Sequence, residues 1–136
     1  MRRRLAREVA LKTLFQVDTG AQPFASALAF ALEPDLDVSV REFAEKLARG
    51  VLDTLPRLDA VIGEHSSGWS LKRMAIVDRN ILRIGCYELL HVEGQPPGVA
   101  INEAVELAKK FGSAETPKFV NGVLGAIARQ AEVKVD

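Results

Sequence analysis

Arg2, Arg3, Arg4 and Arg7 place four guanidinium groups within the first seven residues of a 136-residue chain. Guanidinium forks match phosphate oxygens, and arginine-rich helices are a recognised RNA-binding device. With Lys12, and against Glu8, the first twelve residues carry +4 on a chain that is neutral overall. The other 124 residues hold thirteen basic and seventeen acidic side chains. A cationic start opposes the helix dipole, which favours acids at an N-terminus. A bound polyanion is therefore the expected reason for the cluster, and folding is expected not to depend on it. On a helix, Arg3 and Arg7 are i, i+4 neighbours, Arg4 and Arg7 are i, i+3 neighbours, and only Glu8 offers Arg4 a local partner. Four phosphate contacts to a single strand give a salt slope of about −3. That is modest, so further surface or a partner must add affinity.

Other residue types capable of chemistry do not assemble into a catalytic pattern. His65 falls on an apolar helical face and reads as a packed core histidine. His91 sits at a helix end, where the dipole suits a cation. Neither has metal-ligand spacing to another histidine or to the lone Cys86. Cys86 lies among Leu82, Leu89 and Leu90 and reads as a small buried hydrophobe. A single cysteine excludes an internal disulfide and fits a reducing compartment. No phosphate-binding glycine loop and no nucleophile elbow occurs, so neither an enzyme nor a cofactor is expected. Aromatic residues beside cations are more suggestive: Lys109-Lys110-Phe111 ends one helix and Lys118-Phe119 begins the next. Bases of a single strand stack on such rings while cations hold the backbone, although both phenylalanines also suit a core.

These residues must be positioned by helices, because 3.6-residue periodicity recurs almost everywhere and strand alternation almost nowhere. A first helix is predicted from about Arg3 to Thr19, stopped by Gly20. Phe24 to Leu32 form a second, ended before Pro34. Ser39 and Glu42 have capping-box spacing for a third, with Val40, Phe43, Leu47, Val51 and Leu55 inward. Pro56 suits the first turn of a fourth. Ser70 to about Val92 is apolar on more than one side and should be the central buried helix, with a break near Val77 allowed by Asp78. A proline-glycine loop, Glu93 to Gly98, precedes a sixth helix closed by Gly112, and Thr116-Pro117 opens a seventh. Seven helices with short connections define an all-α bundle in a single domain over 1–136, with a frayed tail at 132–136. Glu88, Asn102 and Asn121 stand where apolar residues are expected and should join helices by buried hydrogen bonds, Arg79 or Arg83 pairing with Glu88. Gly122 and Gly125 suggest close helix packing near Asn121. The chain holds no apolar run of the ~18 residues a membrane span needs, and a cytoplasmic protein is expected.

Five segments share a further property. Arg3-Arg4-Leu5-Ala6-Arg7-Glu8, Val77-Asp78-Arg79-Asn80-Ile81-Leu82-Arg83-Ile84, Tyr87-Glu88-Leu89-Leu90, Val99-Ala100-Ile101-Asn102-Glu103-Ala104 and Phe119-Val120-Asn121-Gly122-Val123-Leu124 resemble, in order, the signature blocks of the NusB family. They span the chain from its arginines to about Ile127. The resemblance implies two packed helical subbundles and a role in transcription antitermination. It implies binding of single-stranded boxA RNA in ribosomal RNA leader transcripts, together with the small-subunit ribosomal protein NusE, in a complex that joins RNA polymerase. The RNA-binding set it implies is Arg2, Arg3, Arg4 and Arg7, with Phe111, Glu115, Thr116, Lys118 and Phe119 around the last interhelical loop, and the cation beside Phe111 adds Lys110 to the expected set. The protein-partner set is Phe15, Asp78 and Arg79. The resemblance allows a monomer or a homodimer. Competing readings are a helical adaptor that binds only protein, and a stand-alone relative of the N-terminal domain of an rRNA cytosine methyltransferase.

Overall fold

The computed structural model describes residues 2–135, with side chains described through residue 131. Among these residues the chain is all-helical: α1 (Arg3–Asp18), α2 (Phe24–Ala31), α3 (Val38–Asp53), α4 (Leu55–His65), α5 (Ile76–His91), α6 (Pro97–Phe111) and α7 (Thr116–Val135). One 3-10 turn, Leu71–Arg73, leads into α5. The side chains from 132 onward, and with them the fraying expected of 132–136, lie outside the described residues.

Most boundaries follow from local chemistry. Gly20 adopts φ +77°, the left-handed geometry that closes α1 and that side-chain-bearing residues resist. Pro97 occupies the first turn of α6, so that helix starts earlier than the apolar spacing indicates. The expected capping box at Ser39 is not formed. Helix α3 begins at Val38 with Asp37 before it, and no side chain caps its N-terminus. Ser39 is already on helical backbone and exposed, so its hydroxyl cannot serve as the cap. The segment from Ser70 to Val92 is divided: the 3-10 turn and extended residues at Met74 and Ala75 precede α5, and Asp78 lies in its first turn.

Helices α1, α2 and α3 pack as one group and α4 to α7 as another, with α5 touching α1, α3, α4, α6 and α7. This central role explains why residues Asn80 to Cys86 are all buried. The core joins Leu14, Leu47, Val51, Leu58, Ile62, Ile81, Ile84 and Leu124 into one cluster. Close approach occurs at Gly85, where an added Cβ would meet Leu124 and Ala104, and at Gly50, where it would overlap the Tyr87 ring. It does not occur at Gly122, which faces open space, or at Gly125, which meets only the tip of Arg129. Asn102 and Asn121 are exposed and join no helices. The buried asparagine is instead Asn80, whose amide donates to Asp18 and to the Ile76 carbonyl, both at 2.8 Å. His65 is half-buried, not enclosed; it bonds the Val61 carbonyl and Gln130 of α7.

Candidate nucleic-acid interface

The N-terminal turn of α1 lies against α6 and the loop joining α5 to α6. Together they line an open groove of about 960 Å³ that includes Arg2, Arg3, Arg4, Gln95, Glu103 and Lys110. Arg7 belongs to its floor, but it is not available to a phosphate. Its Nε and Nη2 donate to the two carboxylate oxygens of Glu88 at 2.8 and 2.7 Å, and Nη2 also donates to Gln95 at 3.2 Å. The side chains of Arg7 and Glu88 are 4% and 1% exposed. Arg7 is therefore an internal anchor between α1 and α5, and the cluster is not independent of folding. The partner of Glu88 is also not the one expected. Arg79 and Arg83 are engaged elsewhere, because on α5 they project toward α1 and α4.

The other basic residues remain at the surface in three different situations. Arg2 is exposed. Arg3 is half-buried, with its guanidinium 4.3 Å over the Phe43 ring and Nη1 donating to Gln95 at 3.4 Å. Arg4 donates through Nε and Nη2 to Glu103 of α6 at 3.0 and 2.8 Å, yet its side chain stays 61% exposed. That bidentate hydrogen bond, opposed by partial burial and helped by the charges of Arg4 and Arg7, holds the Glu103 carboxyl below its ordinary value. Lys110 is 60% exposed and donates to Glu8 at 2.9 Å. Among the described residues neither Arg2 nor Arg3 has a carboxylate partner. The groove is thus much closer to neutral than the run of arginines implies, and four cations, Arg2, Arg3, Arg4 and Lys110, can turn toward an incoming backbone.

The aromatic residues divide between two further depressions. Lys110 lies 5.5 Å from the centre of the Phe111 ring, and Phe111 lines an apolar groove of about 480 Å³ with Phe15, Leu11, Phe30 and Val77. Phe15 and Phe111, assigned by resemblance to protein and to RNA, are thus brought together. Phe30 is 78% exposed beside them. Phe119 lies in a separate depression of about 250 Å³ with Trp69, Met74, Asp78, Glu115 and Thr116. Lys118 is exposed and lines neither. Thr116 is buried: its hydroxyl donates to Asp78 at 3.0 Å and accepts from the Ser113 N–H at 2.9 Å. It ties the start of α7 to the start of α5 and has no free polar atom to offer a ligand.

Arg79 belongs to a network that charge spacing alone does not reveal. It donates to both oxygens of Asp18 at 2.7 and 2.8 Å and to the Leu71 carbonyl at 3.2 Å. Asp18 also accepts from Asn80 and, at 3.0 Å, from Arg83, whose Nε and Nη2 grip Asp59 at 2.8 and 2.9 Å and whose Nη1 also donates to Asn80 at 3.1 Å. Burial opposes ionisation of Asp18, but hydrogen bonds from Arg79 and Asn80 and the nearby cations outweigh it and hold its carboxyl below the usual range. Arg79 is therefore a brace between α1 and α5 more than a free surface group. No group of three metal-ligating side chains occurs among the described residues. Cys86 is fully buried, and burial pushes its thiol up to about 12.

The family model of the NusB family matches residues 4–129. The chain belongs to the NusB family. The transcription antitermination protein NusB of Symbiobacterium thermophilum is 46% identical over 138 residues, covering 95% of this chain and 90% of that protein. The transcription antitermination protein NusB of Bacillus subtilis strain 168 is 44% identical over 132 residues, covering 97% and 98%. Among solved structures, NusB of T. maritima superposes with a TM-score of 0.89 at 36% identity, covering 96% of this chain and 92% of that one. A chain from the crystal structure of the antitermination factors NusB and NusE in complex with dsRNA gives 0.85 at 30% identity, covering 94% and 96%. The NusB family is one of non-enzymatic transcription factors, which accords with the lack of a catalytic constellation in the sequence.

Proposed function

We propose that this member of the NusB family, a transcription antitermination factor, binds boxA-type single-stranded RNA of ribosomal RNA leaders jointly with NusE and delivers it to the RNA polymerase antitermination complex. The observation that carries the reading is the open groove at the start of α1, where Arg2 and Arg3 have no carboxylate partner among the described residues and Arg4 and Lys110 remain more than half exposed. Phosphates would satisfy the two free arginines first and compete with Glu103 and Glu8 for the others. All four contacts give a salt slope of about −3, and two give about half that. So small an electrostatic term calls for a second contributor. The solved relative assembled with NusE and RNA supports a ribosomal protein in that role.

The apolar groove of Phe15, Phe30 and Phe111, with the Asp78 depression beyond it, suits the protein partner. Phe111 and Phe119 stand at the border between the two ligands. The same apolar groove allows a homodimer in the absence of NusE. The setting is the cytoplasm, and no described helix is long and apolar enough to cross a membrane. The test is a titration of boxA and scrambled RNA, with and without NusE, at two salt concentrations. Preference for boxA, strengthened by NusE and weakened by salt, is the expected result. Binding of NusE with no salt-dependent affinity for RNA would make the chain a protein-only adaptor.

A further inference from the structure

We infer that Phe43 of α3 and Gln95 of the α5–α6 loop are positioning residues that hold Arg3 ready for an RNA phosphate. The inference rests on the proposed function and adds to it two residues outside the arginine cluster. An arginine near a chain terminus ordinarily samples many rotamers, and fixing it on binding costs side-chain entropy. Arg3 is fixed beforehand. Its guanidinium carbon lies 4.3 Å from the centre of the Phe43 ring, within cation–π range, and its Nη1 reaches the Gln95 amide oxygen at 3.4 Å. Neither contact neutralises it, so the charge and the remaining N–H donors stay available. Arg4 differs in this respect, because Glu103 takes both arms of its fork.

The two supports are themselves held. Phe43 is 6% exposed and packs in the core, with the Arg7 guanidinium 5.7 Å from the same ring. Gln95 donates Nε2 to Glu88 at 2.9 Å while its oxygen accepts from Arg7 at 3.2 Å. Gly94, at φ +77°, makes the turn that carries Gln95 inward. The buried Arg7–Glu88 pair thus fixes Gln95, and Gln95 and Phe43 fix Arg3. The chain runs from an ion pair that RNA never touches to a cation that it does.

The test is a double-mutant cycle on boxA RNA affinity, using the full chain with NusE. Gln95→Met and Phe43→Leu should each weaken binding roughly three- to tenfold, the cost of ordering one long side chain. The salt slope should stay unchanged, since Arg3 still meets its phosphate. Arg3→Ala should instead reduce the slope by about 0.7, and in that background Gln95→Met and Phe43→Leu should have no further effect. Phe43→Tyr, which keeps the ring, should retain wild-type affinity. If Phe43→Leu fails to fold, Gln95→Met carries the cycle alone. Unchanged affinity in Gln95→Met, or a loss that simply adds to that of Arg3→Ala, overturns the inference and leaves the RNA site standing. Absence of RNA binding by the wild-type chain with NusE overturns the proposed function, and this inference with it.

Discussion

Arg7 and Glu88, 81 residues apart, form a bidentate ion pair whose donor–acceptor distances are 2.8 and 2.7 Å and whose side chains are almost wholly shielded from water. Removing one member strands a buried charge, whereas removing both leaves only a packing problem. Arg7→Ala should destabilise the fold by about 3–5 kcal/mol. The double replacement Arg7→Met with Glu88→Leu should recover most of that loss. Chemical denaturation of both variants measures the difference, and equal destabilisation by the two would contradict it.

The unpaired arginines of the groove should behave in the opposite way. Arg2→Ala with Arg3→Ala is expected to lower the melting temperature by a few degrees at most, because Arg2 is exposed and Arg3 gives up a cation–π contact worth about 0.5–1 kcal/mol. RNA affinity should fall, and the salt slope should shrink by about 1.4 for the two lost contacts. A filter-binding series across salt concentrations reads both quantities. An unchanged slope would remove these arginines from the phosphate-binding set.

The structural role of Asp78 and the partner-binding role proposed for it can be separated by substitution. The Asp78 Oδ1 holds the buried Thr116 hydroxyl at 3.0 Å, and its carboxylate lies in the depression with Trp69 and Phe119. Asp78→Lys should weaken NusE binding roughly tenfold or more by calorimetry. Thr116→Val should lower stability with little change in that affinity. If both variants lose NusE equally, Asp78 acts through the α5–α7 junction and not through contact.

Asp18 and Glu103 both have folded-state values held below their ordinary 3.8 and 4.5. Depressed carboxyls add stability that is present above the unfolded value and is lost as pH falls through the folded one. Stability should therefore be flat near neutrality and drop below about pH 4. Asp18→Asn should lower stability at pH 7 and flatten this acid limb. Denaturation midpoints between pH 7 and pH 3 give the comparison. A mutant curve parallel to the wild type would mean that Asp18 is not responsible.

Cys86, buried and with its thiol pushed up to about 12, should be inert to a thiol reagent at pH 8 and react fully once the chain is unfolded. Rapid reaction of the folded protein would show that α5 opens locally.

Helical periodicity is enough to locate seven helices, the apolar stripe of α3 and the burial of α5 on more than one side. Each depends on residues three or four apart, which the backbone itself brings together. The family blocks, from the arginines to Phe119, were legible for the same reason: they are local words. Misreadings arose where a helix boundary or the rotation of packed helices decided the outcome. Asn102 and Asn121 resembled buried polar residues, but the rotation of α6 and α7 about their axes turns both outward. Ser39 had capping spacing, yet α3 begins one residue earlier. Gln95, a loop residue without any periodic context, carried no signal at all, and Phe43 read only as core.

The sequence by itself determined that four arginines would crowd one end of α1. Only the tertiary structure decided what each would do. Arg7 meets Glu88 inside the protein, Arg4 is shared with Glu103, and Arg3 is laid on Phe43 with its charge intact. Local spacing sets the face of a helix from which a side chain leaves. How much of its charge is left for a ligand depends on which carboxylate or ring the neighbouring helices bring within about 3–6 Å, and that is set by how the helices pack.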